Sequence, residues 1–441
     1  MSPTERLLAL ENFGIKLGLE NISRLCAALG NPERAFASLH VAGTNGKGSV
    51  TSMVHAALRA AGVRAARYTS PHLSSLTERF VIGDAPVDPD ALDAVTTTVL
   101  DCADRLHADG VLPVPPTFFE ATTAIGFELF RQAGVAVAVI EVGLGGRFDA
   151  TNVITPVAGA ITTIGLDHQQ HLGETRADIA FEKAGIIKSG MPVVAGDLPD
   201  DALAVVRRVS AERGATLIEA AAGSRVSSAL IDGRAQITVA TPAATYGPVL
   251  LALRGEHQVG NALVAIRLLE AAAGRPLAGA GDGRGMLEVP RAAIERGLAA
   301  ADWPARLELL PLIGGRNVLL DAAHNADGAT ALAGYLRRWY PRRLPLVIGV
   351  MRDKDVDAIL ATLLPCVSSV VVTMAPTWRA LPADELAVRV RRMGAAHVEI
   401  EPDPERAVAR ALELDDTVCV AGSIFLAGAV RDGLRRRAIL P

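Results

Sequence analysis

The stretch His40-Val41-Ala42-Gly43-Thr44-Asn45-Gly46-Lys47-Gly48-Ser49-Val50 decides how the rest of this chain is read. An apolar lead-in meets a glycine-dense turn, and the turn opens into a helix-forming run. Glycine admits backbone angles closed to other residues, so successive N–H groups can turn inward onto anionic oxygens. The helix that follows would add the positive end of its dipole. Lys47 has the reach to meet outer phosphates, and a hydroxyl such as Ser49 can meet a magnesium ion. Thr44, Asn45, Gly46, Lys47, Gly48 and Ser49 are therefore the candidate phosphate-binding residues. In the common form of such loops Ser or Thr follows the lysine directly, whereas Gly48 intervenes here. An ordinary glycine-rich strand-to-helix turn would share most of these features.

Working outward, residues 39–42 read as the strand entering the loop and residues 50–61 as the helix leaving it, closed by Gly62. Residues 135–142 and 157–164 are further buried strands. Thr175 with Asp178 resembles a helix cap, opening a helix to about Lys188. Residues 215–255, rich in Thr, Ser, Gly and Val, read as antiparallel strands on a flank, and residues 261–273 return to helix. Residues 274–290 are loop-like, a helix follows over 291–300, and Trp303-Pro304 breaks it. Beyond lies a second alternating series: strands at 317–322, 346–350, 370–374 and 417–421, with helices at 327–339 and from about Ile424. Short β-branched runs between helices favour parallel sheets covered by helices. The expected fold is α/β: a P-loop ATPase domain with a mostly parallel sheet and a small flanking antiparallel sheet over residues 1–298, then a doubly wound, Rossmann-like domain over 299–441.

Composition narrows the function classes. Of 441 residues half are hydrophobic and 21% charged, enough for two substantial cores. A net charge of −4 argues against a general nucleic-acid or anionic-membrane surface. Cys26, Cys102, Cys366 and Cys419 form no CxxC pair and read as small buried residues of a reducing compartment. The N-terminus lacks a signal-peptide core, and no apolar run is long enough to span a bilayer. The expectation is a soluble cytoplasmic protein with small-molecule substrates.

A phosphate loop of this kind needs a carboxylate to hold magnesium, usually at the end of a neighbouring buried strand. Glu141 ends the run Val-Ala-Val-Ala-Val-Ile and precedes Gly143-Leu144-Gly145-Gly146. That glycine run does not complete a dinucleotide fingerprint, because Phe148 stands where the last glycine belongs. His168 follows the strand at 157–164 and could offer one ring nitrogen to a metal; a structural histidine fits the spacing equally. His171, three residues on, lacks the partners a zinc site needs. Lys183 by its pattern alone is a helix-surface cation.

Taken together, VAGTNGKGSV, TSPHL (69–73), TFFEATTAIGF (117–127), EVGLGGRFDATN (141–152), GLDHQQHLG (165–173), EKAGIIK (182–188), GEHQVGNA (255–262), WPARLE (303–308), DAAHN (321–325) and GSIFLAGAV (422–430) resemble the folylpolyglutamate synthase / dihydrofolate synthase family of Mur-type amide ligases. The Lys47-Gly48-Ser49 spacing is that family's own form of the loop. The resemblance implies an ATP-dependent ligase. A substrate carboxylate attacks the γ-phosphate to give an acyl phosphate, and the amine of L-glutamate then displaces phosphate.

It further implies ATP phosphates on the loop and magnesium, two ions being expected, on Ser70, Glu141 and His168. Lys183 matches a lysine that the family carboxylates with carbon dioxide, and the resemblance assigns the catalytic roles to Lys47, Lys183 and His168. Asn261, Arg306 and Asp321 match nucleotide-binding positions, the last two placing ATP in an interdomain cleft. Leu17, Gly18, Leu19, Thr117, Phe119, Asp149 and Ala150 match the pterin side. There Phe119 would stack on a flat ring and Asp149 would accept from pterin N–H groups. His324 and Ser423 are candidates for the incoming glutamate. Lys16 stands where an acidic residue is expected in enzymes accepting dihydropteroate, which favours the polyglutamylation activity. A peptidoglycan-precursor ligase would carry a UDP-binding domain ahead of Gly43, and a GTPase switch would need Asn-Lys-x-Asp, of which Arg352-Asp-Lys-Asp355 is only an echo. Family members of this size imply a monomer.

Overall fold

The computed structural model describes residues 2–14, 18–277 and 285–436. Eight strands make the larger sheet: β1 (Ala37–Ala42), β2 (Ala65–Tyr68), β3 (Phe80–Ile82), β4 (Ala85–Pro86), β5 (Val137–Glu141), β6 (Ala158–Ile161), β7 (Pro192–Ala195) and β8 (Thr216–Glu219). Their order is β4-β3-β2-β5-β1-β6-β7-β8, parallel throughout except where β3 meets β2 and β4. Every residue of β1, β5 and β6 is buried, which is why these strands read as unbroken apolar runs.

Alternation then divides the side chains between the two faces of the sheet. Ala66, Tyr68, Ala138 and Ile140 join a core with Leu7, Leu25, Val99 and Phe127 of flanking helices. Ala42, Ile161 and Val193 join another with Ile179 and Val206.

The helix leaving β1 runs Lys47–Ala60 and starts three residues before the expected 50. Gly46 caps it in the left-handed conformation, so the turn is complete before Lys47. The helix expected to reach Lys188 stops at Ala184, and Gly185 lies against the Arg147 backbone, where a Cβ would collide. Within 215–255, β8 joins the large sheet parallel to β7. The antiparallel flank comes from β9 (Arg225–Ile231), β10 (Arg234–Ala240) and β11 (Thr245–Arg254). The helix at residues 291–300 forms as expected and packs on the loop helix, Gly297 touching the Ala57 backbone so closely that no side chain fits.

The remaining strands are β12 (Glu308–Pro311), β13 (Asn317–Leu320), β14 (Leu344–Ile348), β15 (Val367–Val372), β16 (Val398–Ile400) and β17 (Thr417–Ala421). They run β12-β13-β17-β14-β15-β16, with only β12 antiparallel. The chain steps from β13 across to β14, β15 and β16, then returns to insert β17 between β13 and β14. That reversal is the switch point at which open α/β sheets present ligand sites.

The chain divides into two compact units, one of residues 1–228, 236–250 and 260–301, the other of 229–235, 251–259 and 302–441. All four cysteines are buried and free. Among the described residues no helix is long and apolar enough to cross a membrane.

Candidate functional site

In the first unit the phosphate loop is built by exclusion of side chains. A Cβ at Gly43 would strike Thr162 Oγ1, and one at Gly46 would strike Asn261 Oδ1. Gly46 also sits at φ 83°, where a Cβ is strained whatever the space. The loop is tied to the end of β6. Thr44 N donates to Thr163 O at 2.8 Å, Asn45 N to Thr163 Oγ1 at 3.0 Å, and Thr162 Oγ1 to Asn45 O at 2.5 Å. Thr44 Oγ1 donates to Gly165 O at 3.2 Å and accepts from Gly165 N at 3.0 Å. Gly48 and Ser49 are buried in the first helical turn. Thr162 and Thr163 were not singled out in the sequence; two hydroxyl residues closing an apolar strand were the available signal.

Two lysines converge on this loop. Lys47 Nζ donates to Gly43 O at 3.1 Å and to Thr44 O at 3.2 Å. Lys183 Nζ donates to the same Gly43 O at 2.9 Å. Lys183 is buried, and desolvation, followed by the Lys47 charge, pulls its ammonium down to about 7 against the opposing pull of Asp167 and Asp149. A helix-surface cation would show neither feature. The tertiary fold turns Lys183 inward.

Glu141, 4% exposed, ends β5, and its Oε2 accepts the Ser70 backbone N–H at 3.3 Å. His168 has φ 53° and caps the short helix Gln169–Leu172; its N–H donates to Asp167 Oδ1 at 2.9 Å, and its Nε2 lies 3.9 Å from that oxygen. Asp167 thus links His168 to the field around Lys183. Among the described residues no three His, Cys, Asp or Glu side chains form a ready metal cluster. The Ser70 hydroxyl and Glu141 carboxylate are hard oxygen donors that suit magnesium, with His168 as a softer third.

An aromatic pair stands beside Gly143, two residues after Glu141. Thr117 caps the helix Phe118–Gln132 through a reciprocal box with Glu120, at 3.1 and 2.8 Å. This orients Phe119, whose ring fills the space a side chain at Gly143 would need and lies 6.2 Å from the Tyr68 ring. Asp149 is buried, and its carboxylate accepts from Leu144 N at 2.8 Å, Thr151 N at 3.0 Å and Thr151 Oγ1 at 2.5 Å, with Gly143 N bonding as well. A carboxylate has about four acceptor positions, so this one is spent on the protein. Ala150 is buried at the start of the following turn. Thr151 also meets His40 Nε2 at 2.9 Å. Leu19 caps the helix Glu20–Ala28 and packs on the core, and Gly18 precedes it at φ 139°. Leu17 and Lys16 lie outside the described residues.

In the second unit, Arg306 stands between two residues of left-handed backbone, Ala305 at φ 56° and Leu307 at φ 48°. Such non-glycine strain persists only where neighbours enforce it. Here Asp321 Oδ2 accepts from Leu307 N at 2.8 Å, Ala305 O accepts from Ala322 N at 2.9 Å, and Glu308 Oε2 accepts from Ala305 N at 2.9 Å. Arg431 holds Glu308 in turn, at 3.0 Å. Burial raises the Asp321 pKa, while the Arg306 charge lowers it. His324 Nδ1 meets Ala322 O at 2.9 Å, and buried Ser423 accepts from Phe425 N at 3.1 Å. The bracing pair Glu308 and Arg431 escaped the sequence reading because its members lie 123 residues apart.

Residues 305–424 match the Mur ligase, glutamate ligase domain. The chain is 36% identical to the folylpolyglutamate synthase of Lacticaseibacillus casei, over 94% of this chain and 93% of that one. The chain belongs to the folylpolyglutamate synthase / dihydrofolate synthase family. It is also 36% identical to the dihydrofolate synthase/folylpolyglutamate synthase of Mycobacterium tuberculosis, over 94% and 89% of the two chains. Its fold is similar to that of Escherichia coli FolC in complex with DHPP and ADP, with a TM-score of 0.86, 29% identity and 99% of each chain covered. Family membership gives the two-lysine loop its context.

Proposed function

We propose that this chain is an ATP-dependent ligase that joins L-glutamate to dihydropteroate, to reduced folates, or to both, by way of an acyl phosphate. The observation that carries this reading is the meeting of Lys47 and Lys183 on Gly43 O, at the floor of a phosphate loop in a chain of this family. The substrate carboxylate attacks the γ-phosphate of ATP with loss of ADP. The glutamate amine then attacks the acyl carbon, phosphate leaves and the amine proton is lost. Lys47 offsets charge building on the transferring phosphoryl oxygens.

Ser70, Glu141 and His168 are the residues that would hold magnesium. When bound, the ion neutralises phosphoryl charge and orients the triphosphate. Lys183 suits carboxylation: an amine brought down to about 7 is in good part neutral at physiological pH. Its lone pair can add to carbon dioxide, releasing one proton and leaving an anion that could support a second magnesium. Thr44, Asn45, Gly46, Lys47, Gly48, Ser49 and Asn261 of the first unit are nucleotide-binding residues in this reading, and Arg306 and Asp321 of the second unit match nucleotide-binding positions of the family.

On the folate side, Phe119 supplies a stacking face, with Gly18, Leu19, Thr117 and Ala150 around it. Asp149 acts by holding the Gly143 and Leu144 backbone. His324 and Ser423 would receive glutamate. The same reading makes the protein a cytoplasmic monomer working on small molecules. Lys16 favours folates over dihydropteroate as acceptor.

The test is ADP release assayed with each component omitted in turn. Release should require acceptor, L-glutamate, ATP and Mg2+ together, and the product mass should show one added glutamyl unit. Glutamate-independent ADP release, or turnover only with a UDP-muramoyl acceptor, rules the reading out. Dihydropteroate and a reduced folate assayed side by side separate the two activities.

A further inference from the structure

We propose that Glu78 and Arg79 form a positioning clamp that sets Ser70 against Glu141. The loop of residues 69–75 carries Ser70, and these two adjacent residues grip it on both sides. The Glu78 carboxylate accepts three successive backbone N–H groups, from Leu73 at 2.8 Å, Ser74 at 3.2 Å and Ser75 at 3.0 Å. Arg79 Nε donates to His72 Nδ1 at 2.9 Å, which anchors the loop by a side chain. The two backbones complete the grip: Arg79 O accepts from Thr69 N at 3.0 Å, and Glu78 O accepts from Thr69 Oγ1 at 3.5 Å. Thr69 and the four residues from His72 to Ser75 are therefore held, and they bracket Ser70.

Arg79 is an expensive residue to spend on simple loop closure. The residue is only 6% exposed, and its guanidinium is stacked 5.1 Å from the Phe118 ring centre, hydrogen-bonded to Tyr68 and within the fields of Glu141 and Glu11. Burying a cation is costly unless its surroundings compensate. What this charge achieves is a join between the Ser70 loop, through His72, and the start of the helix bearing Phe119, within the field of the Glu141 carboxylate. A clamp of this kind orients ligating groups without touching the reacting atoms.

This inference rests on the ligase reading for its meaning, so its test includes measurements independent of turnover. In nucleotide-free protein, Glu78→Ala should speed amide exchange at Leu73, Ser74 and Ser75 by about tenfold or more, with β1 and β5 unchanged. Glu78→Ala and His72→Ala should each raise the Mg2+ concentration for half-maximal rate by about 10- to 100-fold. Magnesium-dependent ADP binding, followed by calorimetry, should weaken in parallel, while metal-free ADP binding stays within about twofold of the parent. Arg79→Lys should recover part of what Arg79→Ala loses. Parental exchange and parental Mg2+ dependence in folded Glu78→Ala and His72→Ala would overturn the proposal. So would a lowered melting temperature with both readouts unmoved, which is the mark of a merely structural pair. If the parent protein shows no glutamate-dependent turnover the ligase reading fails, and the exchange and ADP-binding measurements still decide the clamp.

Discussion

Lys47 and Lys183 place their Nζ atoms on one carbonyl oxygen, that of Gly43, at 3.1 and 2.9 Å. Two like charges on one acceptor are brought together by the fold, and the more deeply buried lysine gives way by losing proton affinity. The arrangement sets the Lys47 cation beside an amine of lowered proton affinity.

Stability should rise with pH because of Lys183. Its folded-state pKa of about 7 lies below the ordinary lysine value of 10.5, so between them the unfolded chain binds the additional proton. Unfolding free energy should therefore climb from near pH 7 toward pH 10.5, by at most about 1.4 kcal/mol per pH unit from this group. Denaturant melts at several pH values, in buffer freed of carbon dioxide, should show this slope in the parent and not in Lys183→Met. Equal slopes would show that the amine is not depressed.

Lys183→Ala should also lower turnover severely and recover part of it when a small carboxylate such as acetate is added. Unchanged turnover in that variant discards the carboxylated-lysine assignment.

Glu141→Gln keeps the shape and the Ser70 contact yet removes a charge from the proposed metal site. Turnover should fall by about two orders of magnitude or more, with the melting temperature little changed. Near-parental rates would show that Glu141 holds no metal.

Gly46→Ala forces a Cβ into left-handed backbone and onto Asn261. The backbone term alone costs about 1–2 kcal/mol. ADP affinity should drop with it, whereas Gly62→Ala, also at positive φ but with open space around it, should lose stability without losing ADP affinity.

Asp321→Ala leaves the Leu307 and Ala323 amides without their 2.8 Å acceptors and frees the strained turn around Arg306. Each orphaned amide costs about 1–3 kcal/mol. The KM for ATP should rise more than the KM for glutamate; the reverse pattern would remove Arg306 and Asp321 from the nucleotide side. Asp321→Asn, which keeps one acceptor, should be milder.

Much of the fold was legible because its signals are local. An unbroken apolar run marks a doubly covered strand, and the strand at 417–421 and the helix at 291–300 fall where their patterns put them. Boundaries slipped where a contact distant in sequence ends an element, as Arg147 does at Gly185. The strand β8 departs from the expected antiparallel flank because pairing direction leaves no mark in a four-residue segment. At the site, Lys47 and Glu141 were proposed from residue type and position alone, a glycine turn for one and a strand end for the other. Asp149 and Thr117 are acceptors by type as well, yet the protein itself occupies the Asp149 carboxylate and the Thr117 cap.

The sequence by itself determined that a glycine turn with one lysine follows a buried strand, and that two series of alternating elements follow one another. Those properties depend on backbone freedom and on the period of apolar residues, which neighbouring positions alone express. Only the tertiary structure decided that Lys183 faces inward onto Gly43, that Arg306 rides a strained turn pinned by Asp321, and that Glu78 and Arg79 grip the Ser70 loop. Burial, electric field and hydrogen-bond partnership are properties of what surrounds a side chain. Those surroundings come from residues far along the chain, brought near only by folding.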